Sequence, residues 1–169
     1  MDPVSIHPQS TERFFDRLAA VSDPGSAKPA GDAATSNLER LQECYRAIAR
    51  ADFAAVAALT ADDVEMELTG PPLVPIAGHW RGRTQVDAAT RANYAALADQ
   101  RAELLALTAT GNDVVVFARE QGRVRASGVL YDILWSQQYT FKEGLISRIR
   151  GVLAAPFRAA TEPGQLGDA

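Results

Sequence analysis

Cysteine and histidine are almost absent from this chain: among 169 residues there is one Cys, Cys44, and there are two His, His7 and His79. A lone thiol forms neither an internal disulfide nor a thiolate zinc site, so the expected fold needs no oxidising surroundings and no structural metal. The two histidines lie in unrelated segments, and Cys44 has no histidine in helical register. No G-x-G-x-x-G or G-K-[ST] run occurs either, so metal, phosphate and covalent chemistry find no support and no cofactor is expected. A basic stripe is also missing. The 17 Lys and Arg are outnumbered by 21 Asp and Glu, giving a formal charge of -4 without an arginine-and-aromatic run, which argues against nucleic acid as a partner. Nowhere do about 18 apolar residues follow one another, and MDPVSIHPQSTERFF has neither the basic start nor the apolar run of a signal peptide. A cytoplasmic protein without membrane contact is expected.

What the chain does have is 47% apolar residues, enough for one core in a chain of this length. Residues Asp23 to Ser36, rich in Pro, Gly, Ala and Ser, read as a linker. Ahead of it Phe14, Phe15, Leu18 and Val21 form one short amphipathic stripe, either a docked helix or a loose tail. The reading divides the chain into a tail over residues 1–36, a domain over 37–157 and a flexible end over 158–169.

Ser36 and Glu39 match the S-x-x-E capping box, and Leu38, Leu41, Tyr45 and Ile48 then share a helical face. Asp52 can cap a short helix carrying Phe53, Val56 and Leu59. Ala61-Asp62-Asp63 reads as a turn into Val64-Glu65-Met66-Glu67-Leu68, which alternates with period two. A rigid Pro-rich loop leads to Gly78-His79-Trp80-Arg81-Gly82, and Thr84 and Asp87 suggest the cap of a third helix with Val86, Ala89, Thr90, Asn93 and Leu97 on one face. Strands follow over Ala102 to Thr108, Val114 to Glu120, Val129 to Phe141 and Leu145 to Leu153, with turns at Gly111-Asn112-Asp113 and Lys142-Glu143-Gly144 and a kinked stretch at QGRVRASG. Three helices, one early strand and four strands in hairpin order predict an α+β fold in which a strongly bent, mostly antiparallel sheet wraps the helices.

Three segments carry a resemblance: "ADFAAVAALTADDVEME", G-x-W-R-G at Gly78 to Gly82, and "YTFKEGLISRIR". In this order and spacing, from about Asn37 to Leu153, the chain resembles the SnoaL-like branch of the NTF2-like superfamily. The resemblance implies a cone-shaped barrel, commonly dimeric, whose open end holds a small, largely apolar ligand. Relatives include polyketide cyclases, steroid isomerases, limonene epoxide hydrolases and non-catalytic binding modules, so the reaction has to be argued from the site.

Steroid-isomerase-like relatives keep a proton-moving carboxylate at the end of the first strand, where this chain aligns Leu68. Alternation puts Val64, Met66 and Leu68 inside and Glu65 and Glu67 outside, and a slip of one residue would bring Glu67 inward. Where relatives keep a second acid, this chain has Gln137, whose amide can polarise a carbonyl but takes no proton at neutral pH. Of the three epoxide-hydrolase roles, Glu120 falls near the first acid, while Ala118 and Gly151 replace the arginine and the second acid. Glu120 is thus the best available base, near Gln137 and with Arg123 or Arg125; the alternative is a strand-end residue in solvent beside Arg119 and Arg123.

Met66, Leu68, Tyr131, Trp135 and Tyr139 are expected to line the pocket, with His79 and Trp80 at its mouth. Leu130, Leu134 and Val152 have the opposite parity and are expected to support a homodimer. Two readings stay open at this point: an enzyme on a small cyclic or polyketide-like substrate, and a non-catalytic binding or assembly module.

Overall fold

The computed structural model describes residues 32–71 and 75–154. The Phe14–Val21 stripe, most of the linker and the C-terminal tail lie outside these residues. Three helices, α1 (Asp32–Ala49), α2 (Phe53–Ala58) and α3 (Arg83–Ala96), pack with six strands: β1 (Thr60–Thr69), β2 (Gly78–Arg81), β3 (Leu97–Thr110), β4 (Asp113–Val124), β5 (Leu130–Lys142) and β6 (Leu145–Ala154). The sheet runs β2-β1-β6-β5-β4-β3, antiparallel throughout except for the parallel pair β1 and β6. This is the expected α+β architecture, with one strand more than the sequence pattern shows.

α1 buries Ala34, Leu38, Leu41, Cys44 and Ala47 at helical spacing. It is already helical at Asp32, ahead of Ser36. The capping box is therefore not used at a helix start: Ser36 and Glu39 are exposed inside the helix, because Ala33-Ala34 are strong helix formers and Ala34 packs in the core at 1% exposure. Asp52 caps α2 as expected, accepting from the Ala55 N–H at 3.1 Å. α3 starts differently from the sequence reading. Gly82 is its N-cap with φ 78°, no side chain caps it, and Asp87 instead pairs with Arg91 one turn on at 2.7 Å.

Ala61-Asp62-Asp63 is strand rather than turn, with an irregularity between Thr60 and Glu65 that leaves Asp62 and Asp63 exposed. Beyond it, parity behaves as expected: Val64, Met66 and Leu68 are buried, each contributing about 1.5–3 kcal/mol by removal from water. Glu65 pairs with Arg148 at 3.1 Å and Glu67 with Arg150 at 3.8 Å, both away from the core. The QGRVRASG stretch is not a kink at its start, since β4 continues to Val124. The β5–β6 hairpin closes through Glu143 (φ 52°) and Gly144 (φ 76°), the double left-handed turn that suits strand twist.

The strand β3 departs most from alternation. Ala98 pairs with Arg123 and Arg101 with Gln121, so Asp99 and Gln100 together oppose Gly122 in a bulge. Asp99 takes φ 55° and is held by an ion pair with Arg123. The extra residue turns Gln100 inward, where it is 6% exposed.

Candidate active site

A cavity of about 110 Å³ lies between the helices and the inner face of the sheet, walled mainly by apolar groups such as Ile48, Val56, Met66, Leu68, Ile146 and Leu153. The β5 residues Tyr131, Ile133, Trp135, Gln137 and Tyr139 share one face by strand alternation and all reach it. From α3 come Thr90, Asn93 and Tyr94, and from β4 comes Glu120.

Glu120 is the only carboxylate among the described lining residues. One edge of it faces the cavity while protein encloses the rest. Its Oε1 accepts from the Tyr131 hydroxyl at 2.7 Å and from Gln100 Nε2 at 3.0 Å. Burial pushes its pKa up, and the Tyr131, Gln100 and Trp135 donors only partly oppose that shift. The Trp135 indole N–H approaches the carboxylate without completing a hydrogen bond. The arginines beside Glu120 in sequence do not reach it. Arg119 forms a bidentate pair with Asp132 on the outer face, Arg123 holds Asp99, and Arg125 donates to the Leu97 carbonyl at 2.8 Å. The solvated alternative for Glu120 is therefore not the one adopted, nor is a pairing with Arg123 or Arg125.

A second polar group sits at the other end of the cavity. The Tyr139 hydroxyl donates to Gln137 Oε1, so the Tyr45 hydroxyl at 2.9 Å is the donor to Tyr139. Burial raises the pKa of both tyrosines, keeping them protonated donors at neutral pH. Gln137 and Glu120 are not neighbours. Gln137 pairs with Val116 and Glu120 with Ile133, four residues apart along β4, or roughly 13 Å. Cys44 also lines the cavity, but burial and then Glu43 push its thiol up to about 12, so it stays protonated.

The sheet leaves room for these groups through two glycines. A Cβ on Gly122 would stand 2.6 Å from the Tyr131 hydroxyl, and one on Gly151 would stand 2.5 Å from the Ser136 carbonyl and 2.8 Å from Gln137 Cγ. Gly151 thus fits the close packing of Gln137 where an epoxide-hydrolase-like acid would not.

Met66, Leu68, Tyr131, Trp135, Tyr139, Glu120 and Gln137 all line the cavity as the sequence suggests; His79 and Trp80 do not. They belong to the edge strand β2 rather than to a loop. His79 opposes the outward Glu67 and is exposed, in contact with Arg81, while the Trp80 indole turns back to the Ile76 carbonyl at 3.2 Å. Sequence reasoning missed Gln100, Tyr94 and the polar role open to Asn93. The available signal was an asparagine on the buried face of α3, since amides are seldom placed in a core without a partner. Among the described residues no group of three His, Cys, Asp or Glu is placed to hold a metal ion, and no helix is long and apolar enough to cross a membrane.

An α+β cone with a small, mostly apolar cavity and one desolvated acid is the class of protein defined by this geometry. The chain belongs to the SnoaL-like domain family, whose model matches residues 41–149. Among solved structures it is similar to an NTF2-like protein from Burkholderia xenovorans LB400, at 21% identity over 71% of this chain and 90% of that one, with TM-score 0.62. It is similar also to a protein from Jannaschia sp. CCS1 provisionally described as a SnoaL-like polyketide cyclase, at 14% identity, 75% and 91% coverage and TM-score 0.66. A limonene-epoxide-hydrolase-like epoxide hydrolase from M. tuberculosis matches at 16% identity, 71% and 84% coverage and TM-score 0.58. Identities this low establish a shared fold and nothing about the reaction. Comparison with curated protein sequences gives no match.

Proposed function

We propose that this chain is a cofactor-independent enzyme of the isomerase, cyclase or hydrolase type, moving a proton on a small, largely apolar molecule held in the cavity, with Glu120 as the base. The observation that carries this reading is the placement of Glu120: inside an apolar cavity, its pKa raised by burial, and out of reach of the arginines that flank it in sequence. Tyr131 and Gln100 both donate to Oε1, which favours Oε2 as the proton-transferring atom. In an isomerisation, the Oε2 lone pair takes a proton from carbon beside a carbonyl, the C–H electrons move into an enolate, and the resulting acid returns the proton to another atom. Gln137, held by Tyr139, acts at the far end as an orienting amide rather than as a base.

The test is α-carbon exchange of small cyclic ketones in deuterated water, followed by proton NMR. Wild type should accelerate exchange, and Glu120→Gln should lose roughly 100-fold or more. Equal rates for the two proteins would remove the enzyme reading and leave the alternative, a non-catalytic binding or assembly module, which the presence of Leu68, Gln137 and Gly151 at acid positions favours.

A homodimer on the outer face of the sheet accompanies either reading. Phe117, Ser136 and Val152 lie in one cross-strand row, and Leu105, Leu130 and Val152 are exposed there or beside it. Light scattering at micromolar concentration should give twice the chain mass, and Val152→Glu should shift it to the monomer.

A further inference from the structure

Four side-chain atoms among the described residues are buried without a hydrogen-bond partner: Asp87 Oδ1, Asn93 Oδ1, Gln100 Oε1 and Trp135 Nε1. Asp87 lies on the outer side of α3, where its other oxygen holds Arg91. Of the remaining three, two belong to residues that line the cavity and one to a residue bonded to Glu120. Asn93 and Trp135 are the lining residues, 7% and 6% exposed, and Gln100 stands behind Glu120. An unmade hydrogen bond in a desolvated place is costly to leave, so native proteins rarely carry several together unless something completes them.

The two lining atoms have opposite character. Asn93 Oδ1 only accepts and Trp135 Nε1 only donates. Asn93 Oδ1 has no hydrogen-bond partner, and Trp135 Nε1 only approaches the Glu120 carboxylate, so a ligand group at the wall of the cavity would complete both. Trp135 also stands beside Glu120, which places an accepted oxygen next to the proposed base. The cavity is partly open, and its volume of about 110 Å³ is smaller than the roughly 150 Å³ of an engineered cavity that takes up benzene. No Lys, Arg or His lines it, and apolar walls penalise an anion.

We infer that the ligand is an uncharged molecule of about one ring that carries both a hydroxyl and a carbonyl, the hydroxyl donating to Asn93 Oδ1 and the carbonyl oxygen accepting from Trp135 Nε1. The inference rests on the reading of the cavity as a ligand site and names what the site selects.

The experiment measures binding of 2-hydroxycyclohexanone, cyclohexanone and benzene to the whole chain by NMR, using the indole N–H signals; the Trp80→Phe spectrum identifies that of Trp135. The hydroxyketone should bind about tenfold tighter than cyclohexanone, and cyclohexanone about tenfold tighter than benzene. The Trp135 N–H should move downfield with both ketones and not with benzene. Asn93→Leu should erase the preference for the hydroxyketone while keeping that for the ketone over benzene. Asn93→Asp, which retains the acceptor and the shape, should keep both. Equal affinities for the three ligands, or an unmoved Trp135 signal, overturn the inference. Ketone exchange that depends on Glu120 but lacks this ranking overturns the inference alone. The ranking without Glu120-dependent exchange removes only the enzyme, and failure of all three ligands to bind overturns both.

Discussion

Glu120 and Asp132 occupy adjacent strands of the β4–β5 hairpin, one step apart in register, and differ in the face they take. Asp132 points outward, where Arg119 and Gln121 donate to it and hold its carboxyl below the usual range. Glu120 points inward, meets neutral donors only, and moves the other way. The two acids show that nearness in sequence to an arginine says little about pairing. Strand parity sends Arg119 and Arg123 to the outer face together with the acids they neutralise, and leaves the inner acid to desolvation.

The largest disturbance of this contrast should come from Gly122→Val. The new side chain would collide with the Tyr131 hydroxyl and the Ala98 carbonyl, which a backbone oxygen cannot relieve. A loss of about 1–3 kcal/mol in denaturant unfolding is expected, together with release of the Tyr131 hydrogen bond. An unchanged midpoint would show that β4 yields there without cost.

Tyr131→Phe should act next most strongly. It removes the strongest opposing donor, so the Glu120 pKa should rise further, visible as a carboxyl carbon titration in labelled protein. A fall would mean that burial does not dominate at this site.

Glu120→Gln isolates the pH dependence. Because the folded pKa lies above its ordinary value of 4.5, Glu120 favours folding below that value, and this support is lost as pH rises through the folded pKa. The Gln variant should therefore gain on wild type as pH increases from about 4 towards neutrality. A Gln variant that instead loses ground to wild type over this range would contradict the assignment.

Asp132→Asn should matter least, because the pair is largely solvated: a change of roughly 2 °C or less in thermal midpoint is expected. Its sign is opposite. The lowered pKa lends stability above the ordinary value of 3.8 that disappears as pH falls through the folded value.

Much of this was legible in the residues themselves. Period-two patterning placed Met66, Leu68, Tyr131, Trp135 and Tyr139 correctly, because side-chain parity holds wherever one face of a strand is buried. It gave no reading for the start of β3, which the sequence pattern began only at Ala102, because the bulge at Asp99 and Gln100 breaks the alternation there. Gln100 was hidden for that reason. His79 was misplaced because a four-residue edge strand flanked by turns carries too little pattern to separate it from a loop. Glu120 was placed by counting along the family resemblance, whereas the charge pattern pointed to solvent.

The rims of the sheet have a consequence for how copies of this protein meet. An open strand edge invites another chain to add itself, and among the described residues this sheet has two such edges, β2 and β3. One is only four residues long. The other is interrupted twice and carries Asp99, Arg101 and Glu103 near its first interruption. Neither offers the long, flat, uncharged ladder on which fibres grow. Growth by strand addition is therefore discouraged at both ends, so the proposed pairing through the face that exposes Phe117 and Val152 would close on itself instead of polymerising.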